Sequence, residues 1–109
     1  MKTAIDKTGR AASQLLGDPH RATRAAEMVK ALGHPLRLQI VALLCSGAQH
    51  VSAIAQRLDC PQAILSQQLR ILRVREVVRV TRANGFSYYR LAQPGLKNFV
   101  RCIAGCSCN

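Results

Sequence analysis

Two β-branched or aromatic runs, Val77–Ala83 and Phe86–Leu91, flank the dipeptide Asn84-Gly85. Asn-Gly is the strongest short hairpin signal, because both residues tolerate the positive φ that a type I′ turn requires. Upstream of Val74 the apolar residues instead recur at helical spacing. A chain patterned this way has a helical body and one hairpin to attach to it.

The body divides at its turn residues. Ala22, Ala25, Ala26, Val29 and Leu32 mark a helix from Arg21 that Gly33 stops. Pro35 opens the next helix at its first position, where the missing N–H costs nothing. Leu36, Ile40, Leu43 and Leu44 form its stripe, and Cys45-Ser46-Gly47 ends it. Val51, Ile54, Ala55 and Leu58 define a short third helix. Asp59-Cys60-Pro61 is a tight break, and Gln62–Val74 a fourth helix with Leu65, Leu69 and Leu72 inward. After the hairpin, Pro94 opens a last helix with Leu96, Phe99, Val100 and Ile103 on one face, ended near Gly105. Two short helices joined by a tight turn and followed by a two-stranded wing make a winged helix-turn-helix. The expected fold is mainly α with a β-hairpin, with about five helices. Residues 1–17 read as a loose basic N-terminal arm with room for a short helix over 11–16. Residues 18–105 read as the winged domain for dimerisation and DNA binding, and 106–109 as a Cys-containing tail.

The 109 residues carry 16 Lys and Arg against 5 Asp and Glu, a net charge of +11, while 49% are hydrophobic. That composition builds a core and leaves a strongly positive surface, which suits nucleic acid or an anionic membrane. The longest apolar run, Ile40–Cys45, is far short of the ~20 residues a spanning helix needs, and no stretch resembles a signal peptide. A cytoplasmic protein with reduced thiols and no membrane partner is expected. The acids are Asp6, Asp18, Glu27, Asp59 and Glu76 alone. No paired acid and base, phosphate loop or nucleophile–base set is present, so no enzyme is expected.

The fourth helix carries the reading head. Gln62, Ser66, Arg70 and Arg73 recur at helical spacing opposite Leu65 and Leu69, with Ala63 and Gln67 beside them. Gln pairs with adenine, Arg with guanine, and Ser with base or phosphate. In the wing, Arg79, Arg82 and Arg90 surround Asn84-Gly85 and suit phosphate or minor-groove contacts. Tyr88 and Tyr89 alternate faces, one expected in the core and one half-exposed beside DNA. His34 is expected to cap the preceding helix or to pack in the turn.

The segments KALGHPLRLQIVALL, VSAIAQRLDCPQAILSQQLRILR and VVRVTRANGFSYYRL together resemble the ArsR/SmtB family of winged helix-turn-helix repressors, over residues 21–104. The resemblance implies a homodimer built from the first and last helices. It also implies a pseudo-palindromic double-stranded operator and an inducer that releases it. Two positions depart from the family pattern: Pro61 stands where Ser or Thr usually opens the recognition helix, and Glu76 where Gly usually precedes the wing.

The family's zinc-type site on the last helix requires Asp, Glu and His ligands, and none occurs beyond Glu76. Its Cys-x-Cys metalloid site would fall near His50–Ser52, where there is no cysteine. The persulfide-sensing branch would place its first thiol at Ala42, one turn from Cys45, and its second near Cys108. What the chain does carry is Cys102, Cys106 and Cys108. Three thiols without a hard ligand suit arsenic(III), antimony(III) or copper(I), whereas zinc usually takes a fourth ligand. The expected function is a repressor that releases DNA when these thiols bind such a species. A repressor sensing persulfide or oxidant, or a DNA-binding protein without a ligand, remains open. Cys102 and Cys106 could instead pack a dimer seam beside Phe99 and Ile103, though Cys108 has little core to join. Cys45, the weaker sensing candidate, and Cys60 read as structural, and no cofactor is obligatory.

Overall fold

The computed structural model describes residues 2–105. Its elements are α1 (Lys2–Gly17), α2 (Pro19–Ala31), α3 (Pro35–Leu44), β1 (Gln49–His50), α4 (Val51–Arg57), α5 (Gln62–Val74), β2 (Val78–Ala83), β3 (Phe86–Leu91) and α6 (Leu96–Ala104). The chain divides into two compact units after Lys30.

In the first unit, the segment expected as a loose arm is the helix α1. Ala11, Ala12, Leu15 and Leu16 are strong helix formers, and they outweigh the roughly 1 kcal/mol that Gly9 costs in a helix interior. Asp18 then starts α2. Its carboxylate accepts from the backbone N–H of His20 at 3.0 Å and of Arg21 at 3.2 Å, with Pro19 at the first helical position.

The second unit is a winged helix-turn-helix. Its buried residues are Ala31, Leu32, Ile40, Val41, Leu44, Ile54, Leu65, Leu69, Leu72, Val77, Val78 and Leu96. They come from the end of α2 and the turn after it, from each of α3 to α6, and from the entry to the hairpin. The inward stripe expected for α5 is the one buried. Each large aliphatic side chain in this set contributes roughly 1.5–3 kcal/mol of apolar burial. The sheet has three antiparallel strands in the order β1-β3-β2, one more than expected, because two residues before α4 pair with Tyr88 and Tyr89. A two-residue strand carries too little sequence for its period to be read.

Histidine side chains start both α3 and α4. His34 Nδ1 accepts from the N–H of Leu36, and His50 Nδ1 from that of Ser52, each at 3.1 Å. His34 therefore caps the helix that follows it and not the one before, because its extended backbone (φ −139°, ψ 132°) turns the ring toward the free N–H groups of α3. Each cap supplies an acceptor to an otherwise orphaned donor, a contribution of about 1 kcal/mol.

The two turns that fix α5 share one geometry. After α4, the N–H of Cys60 bonds the carbonyl of Ala55 at 3.0 Å and that of Asp59 bonds Gln56 at 3.2 Å. After α5, the N–H of Val77 bonds Leu72 at 2.8 Å and that of Glu76 bonds Arg73 at 2.9 Å. Both are Schellman closures, which place one residue in the left-handed region. Here Asp59 (φ 50°) and Glu76 (φ 60°) take that place, where glycine is usual. The left-handed conformation costs an L-residue roughly 1–2 kcal/mol, and the greater chain entropy of glycine takes back about 0.5–1 kcal/mol. Glu76→Gly should therefore stabilise the chain by about 0.5–1 kcal/mol in urea unfolding. A destabilised variant would show that the Glu76 side chain holds the turn. The hairpin turn follows the sequence expectation: Asn84 and Gly85 have φ of 53° and 80° between the paired Ala83 and Phe86.

At the last helix, Pro94 lies two residues before α6. The N–H groups of Leu96, Lys97 and Asn98 bond the carbonyls of Gln93, Pro94 and Gly95, so a tighter i→i−3 turn leads into the α-helix. Leu96 is buried, Phe99 and Val100 are half-buried, and Ile103 is 42% exposed.

Candidate nucleic-acid interface

The helix-turn-helix is α4 and α5, joined through Asp59, Cys60 and Pro61. Pro61 precedes α5 with φ −57° and ψ 137° and gives no side-chain cap. Its carbonyl accepts from the N–H of Leu65 at 3.0 Å. Proline's fixed φ thus holds this start without the usual hydroxyl. Cys60 is half-buried, and its thiol donates to the Pro61 carbonyl at 3.5 Å.

With Leu65, Leu69 and Leu72 buried, α5 presents three outward surfaces at 100° per residue. Ala63, Gln67 and Val74 form the pole opposite the leucines. Gln62, Ser66, Arg70 and Arg73 form one flank, and Ile64, Gln68 and Ile71 the other. Every residue expected to read DNA on this helix is exposed: Gln62, Ala63, Ser66, Gln67, Arg70 and Arg73. Ser66, Arg70 and Arg73 lie toward the wing. With Val74 and Tyr89 they line a groove of about 330 Å³. Tyr89 and Val74 complete a surface that the α5 stripe alone did not reveal, since the register of β3 against β2 determines which tyrosine turns toward the helix.

The wing arginines do not share one face. Side chains alternate along a strand, and the register pairs Arg79 with Arg90, Val80 with Tyr89, Thr81 with Tyr88 and Arg82 with Ser87. Arg82 is therefore on the Tyr89 side. Arg79 and Arg90 oppose each other on the other side, with Tyr88 and Phe86. His50 pairs with Tyr88 in register and meets both rings edge-on, at centroid distances of 5.0 Å to Phe86 and 5.6 Å to Tyr88. Neither tyrosine belongs to the core; both are half-buried, because the wing projects beyond the helical layer that buries Val78. Arg70, Arg73, Arg79, Arg82 and Arg90 are all exposed, and none has an ion-pair partner among the described residues. Like charges placed directly opposite, as Arg79 and Arg90 are, disfavour the sheet, and an anion between them would remove that cost.

The described cysteines, Cys45, Cys60 and Cys102, lie at different elements. Cys45 is the half-buried C-cap of α3, Cys60 sits in the helix-turn-helix turn, and Cys102 is exposed on α6. Cys106 and Cys108 lie outside the described residues. Among the described residues no three His, Cys, Asp or Glu side chains gather as a metal site, and no helix is long and apolar enough to cross a membrane.

Comparison with known proteins supplies an independent line. The sequence profile described as "Bacterial regulatory protein, arsR family" matches residues 34–80, the span from the His34 cap to the middle of β2. A biofilm growth-associated repressor from Agrobacterium fabrum is 34% identical over 88 residues, covering 81% of this chain and 75% of that protein. Among solved structures, the transcriptional repressor BigR from Xylella fastidiosa superimposes with a TM-score of 0.73 at 32% identity, covering 82% of this chain and 93% of that one. A homodimeric winged helix-turn-helix DNA-binding domain from Mycobacterium bovis gives 0.72 at 28% identity, covering 79% and 80%.

Proposed function

This chain belongs to the ArsR family of bacterial regulatory proteins, and from that membership we propose that it represses transcription by binding double-stranded operator DNA as a homodimer. The observation that carries this reading is the exposed stripe Gln62, Ser66, Arg70 and Arg73 on α5, beside a basic wing and without an acidic partner among the described residues. In the bound state α5 enters the major groove. Gln62, Ala63, Ser66, Gln67 and Arg70 face base edges, and Arg73, at the wing-side groove, meets the backbone. Arg82 on one face of the wing and Arg79 with Arg90 on the other meet phosphates. Each unit leaves apolar side chains for a second copy to cover: Val29 on α2 of the first is 53% exposed, and Ile103 on α6 of the second is 42% exposed beside half-buried Phe99 and Val100.

The inducer in this proposal is a soft metal or metalloid, with arsenic(III) the first candidate and antimony(III) or copper(I) next. Cys102, Cys106 and Cys108 would hold it. The donor chemistry supports this: three thiols within seven residues, with no carboxylate or imidazole after Glu76, suit a three-coordinate soft ion. An inducer acts only by binding the DNA-free form more tightly. The exposure of Cys102 also favours a second reading, in which a persulfide or oxidant modifies the thiols covalently.

Fluorescence anisotropy of the reduced protein on the DNA upstream of its own gene, titrated with arsenite, separates these readings. Stoichiometric arsenite is expected to release the DNA, and serine at Cys102, Cys106 and Cys108 together should abolish that release while leaving DNA binding intact. DNA that stays bound in excess arsenite would refute the metalloid reading. Release by persulfide or oxidant, with a changed covalent mass of the protein, would then establish the second.

A further inference from the structure

Arg37, at the third position of α3, is half-buried and makes two directed bonds. Its Nε donates to the carbonyl of Ala31, the last residue of α2, and its Nη1 donates to Oε1 of Gln68 on α5 at 3.0 Å. Neither acceptor is charged. A half-buried guanidinium without a carboxylate sacrifices hydration and recovers it through charge-assisted bonds of defined direction. Gln68 is half-buried on the flank of α5 away from Ser66, Arg70 and Arg73. The buried side chains of α5 are Leu65, Leu69 and Leu72, and the turns at Asp59 and Glu76 fix its two ends. Apolar burial is non-directional, so a leucine row alone permits α5 to roll about its axis. The Arg37–Gln68 bond is directional and acts on one flank while the reading stripe occupies the other.

We infer that Arg37 is a positioning residue for DNA recognition: through Gln68 it sets the rotation of α5, and with it the aim of the α5 stripe. This rests on the DNA-binding reading given above. Recognition tolerates displacements of only about 0.5 Å or 10–20° at a functional side chain, so a small roll of α5 reduces the population of the competent pose and weakens binding in proportion. Arg37 need not touch DNA to act in this way.

The test compares wild type with Gln68→Met, Arg37→Gln and the double variant. Gln68→Met leaves Arg37 in place, keeps side-chain length and removes only the acceptor. Hydrogen exchange of the free proteins comes first: α5 amides should exchange about 10-fold faster relative to those of β2 and β3 in each folded variant. Unchanged α5 protection in Gln68→Met overturns the inference, whatever happens on DNA and whether or not Arg37→Gln folds. Anisotropy on the operator follows. Each single variant should raise Kd about 5- to 30-fold, the double variant should be no weaker than the weaker single, and the dependence of log Kd on log salt should keep its slope. A slope reduced by about 2 in the Arg37→Gln dimer would instead identify Arg37 as a phosphate contact and overturn the inference. Failure of the wild type to bind DNA would refute the repressor reading, and the exchange result would still decide whether Arg37 holds α5.

Discussion

Raising monovalent salt from 50 to 200 mM should weaken operator binding by about 10⁴-fold. Arg73, Arg79, Arg82 and Arg90 are exposed and have no ion-pair partner among the described residues. If two protomers place all of them on phosphates, about eight counterions are displaced. The slope of log K against log salt is then roughly −7, at about −0.9 per phosphate. Two features of the chain make the effect large. No carboxylate competes for these guanidinium groups among the described residues, so none is neutralised in advance. The net charge of +11 also leaves little of the surface to repel a polyanion. Substituting Arg79 and Arg90 together by Gln should lower the slope by about 4 in a dimer, and Arg82→Gln by about 2. A wild-type slope shallower than about −2 would mean that the wing does not reach the backbone.

The second large effect concerns stability. Leu69 is 1% exposed between Leu65 and Leu72, both fully buried. Truncating it removes the centre of the row that attaches α5 to the body, and leaves a cavity that rigid neighbours refill only in part. Leu69→Ala should cost about 2–5 kcal/mol in urea unfolding, a large share of the 5–15 kcal/mol typical of a domain. Ile64 lies on the same helix but is 47% exposed, and Ile64→Ala should stay within about 0.5 kcal/mol of wild type. Equal losses at the two positions would contradict the assignment of the buried face of α5.

The comparison of sequence with structure follows the range of the interactions involved. The span of α5, its leucine row and the Asn84-Gly85 turn were legible because each depends on residues within a turn or two of one another. The sequence pattern leaves room for a helix only over 11–16 because Gly9 and Gly17 weigh as punctuation, whereas α1 spans Lys2–Gly17. The direction of the His34 cap needed the backbone angle at His34, which composition does not supply. The separation of Arg82 from Arg79 and Arg90 follows from parity once the hairpin register is known, and could have been read from the Asn84-Gly85 turn itself. The pairing of Arg37 with Gln68 links residues 31 apart in sequence, and no local pattern marks it. The inducer is still less legible, because two of the three thiols proposed to hold it, Cys106 and Cys108, lie outside the described residues.

The most direct test of the repressor account is a specificity ratio. Anisotropy titrations of the reduced protein, at one fixed salt concentration, would compare the DNA upstream of its gene with a duplex of the same length and scrambled sequence. A sequence-reading α5 predicts at least about 10³-fold tighter binding to the upstream DNA, collapsing toward the scrambled value when Gln62, Ser66 and Arg70 are replaced together by Ala. Equal affinity for the two duplexes, with the same salt slope, would contradict the account and leave a protein that binds the phosphate backbone without reading the bases.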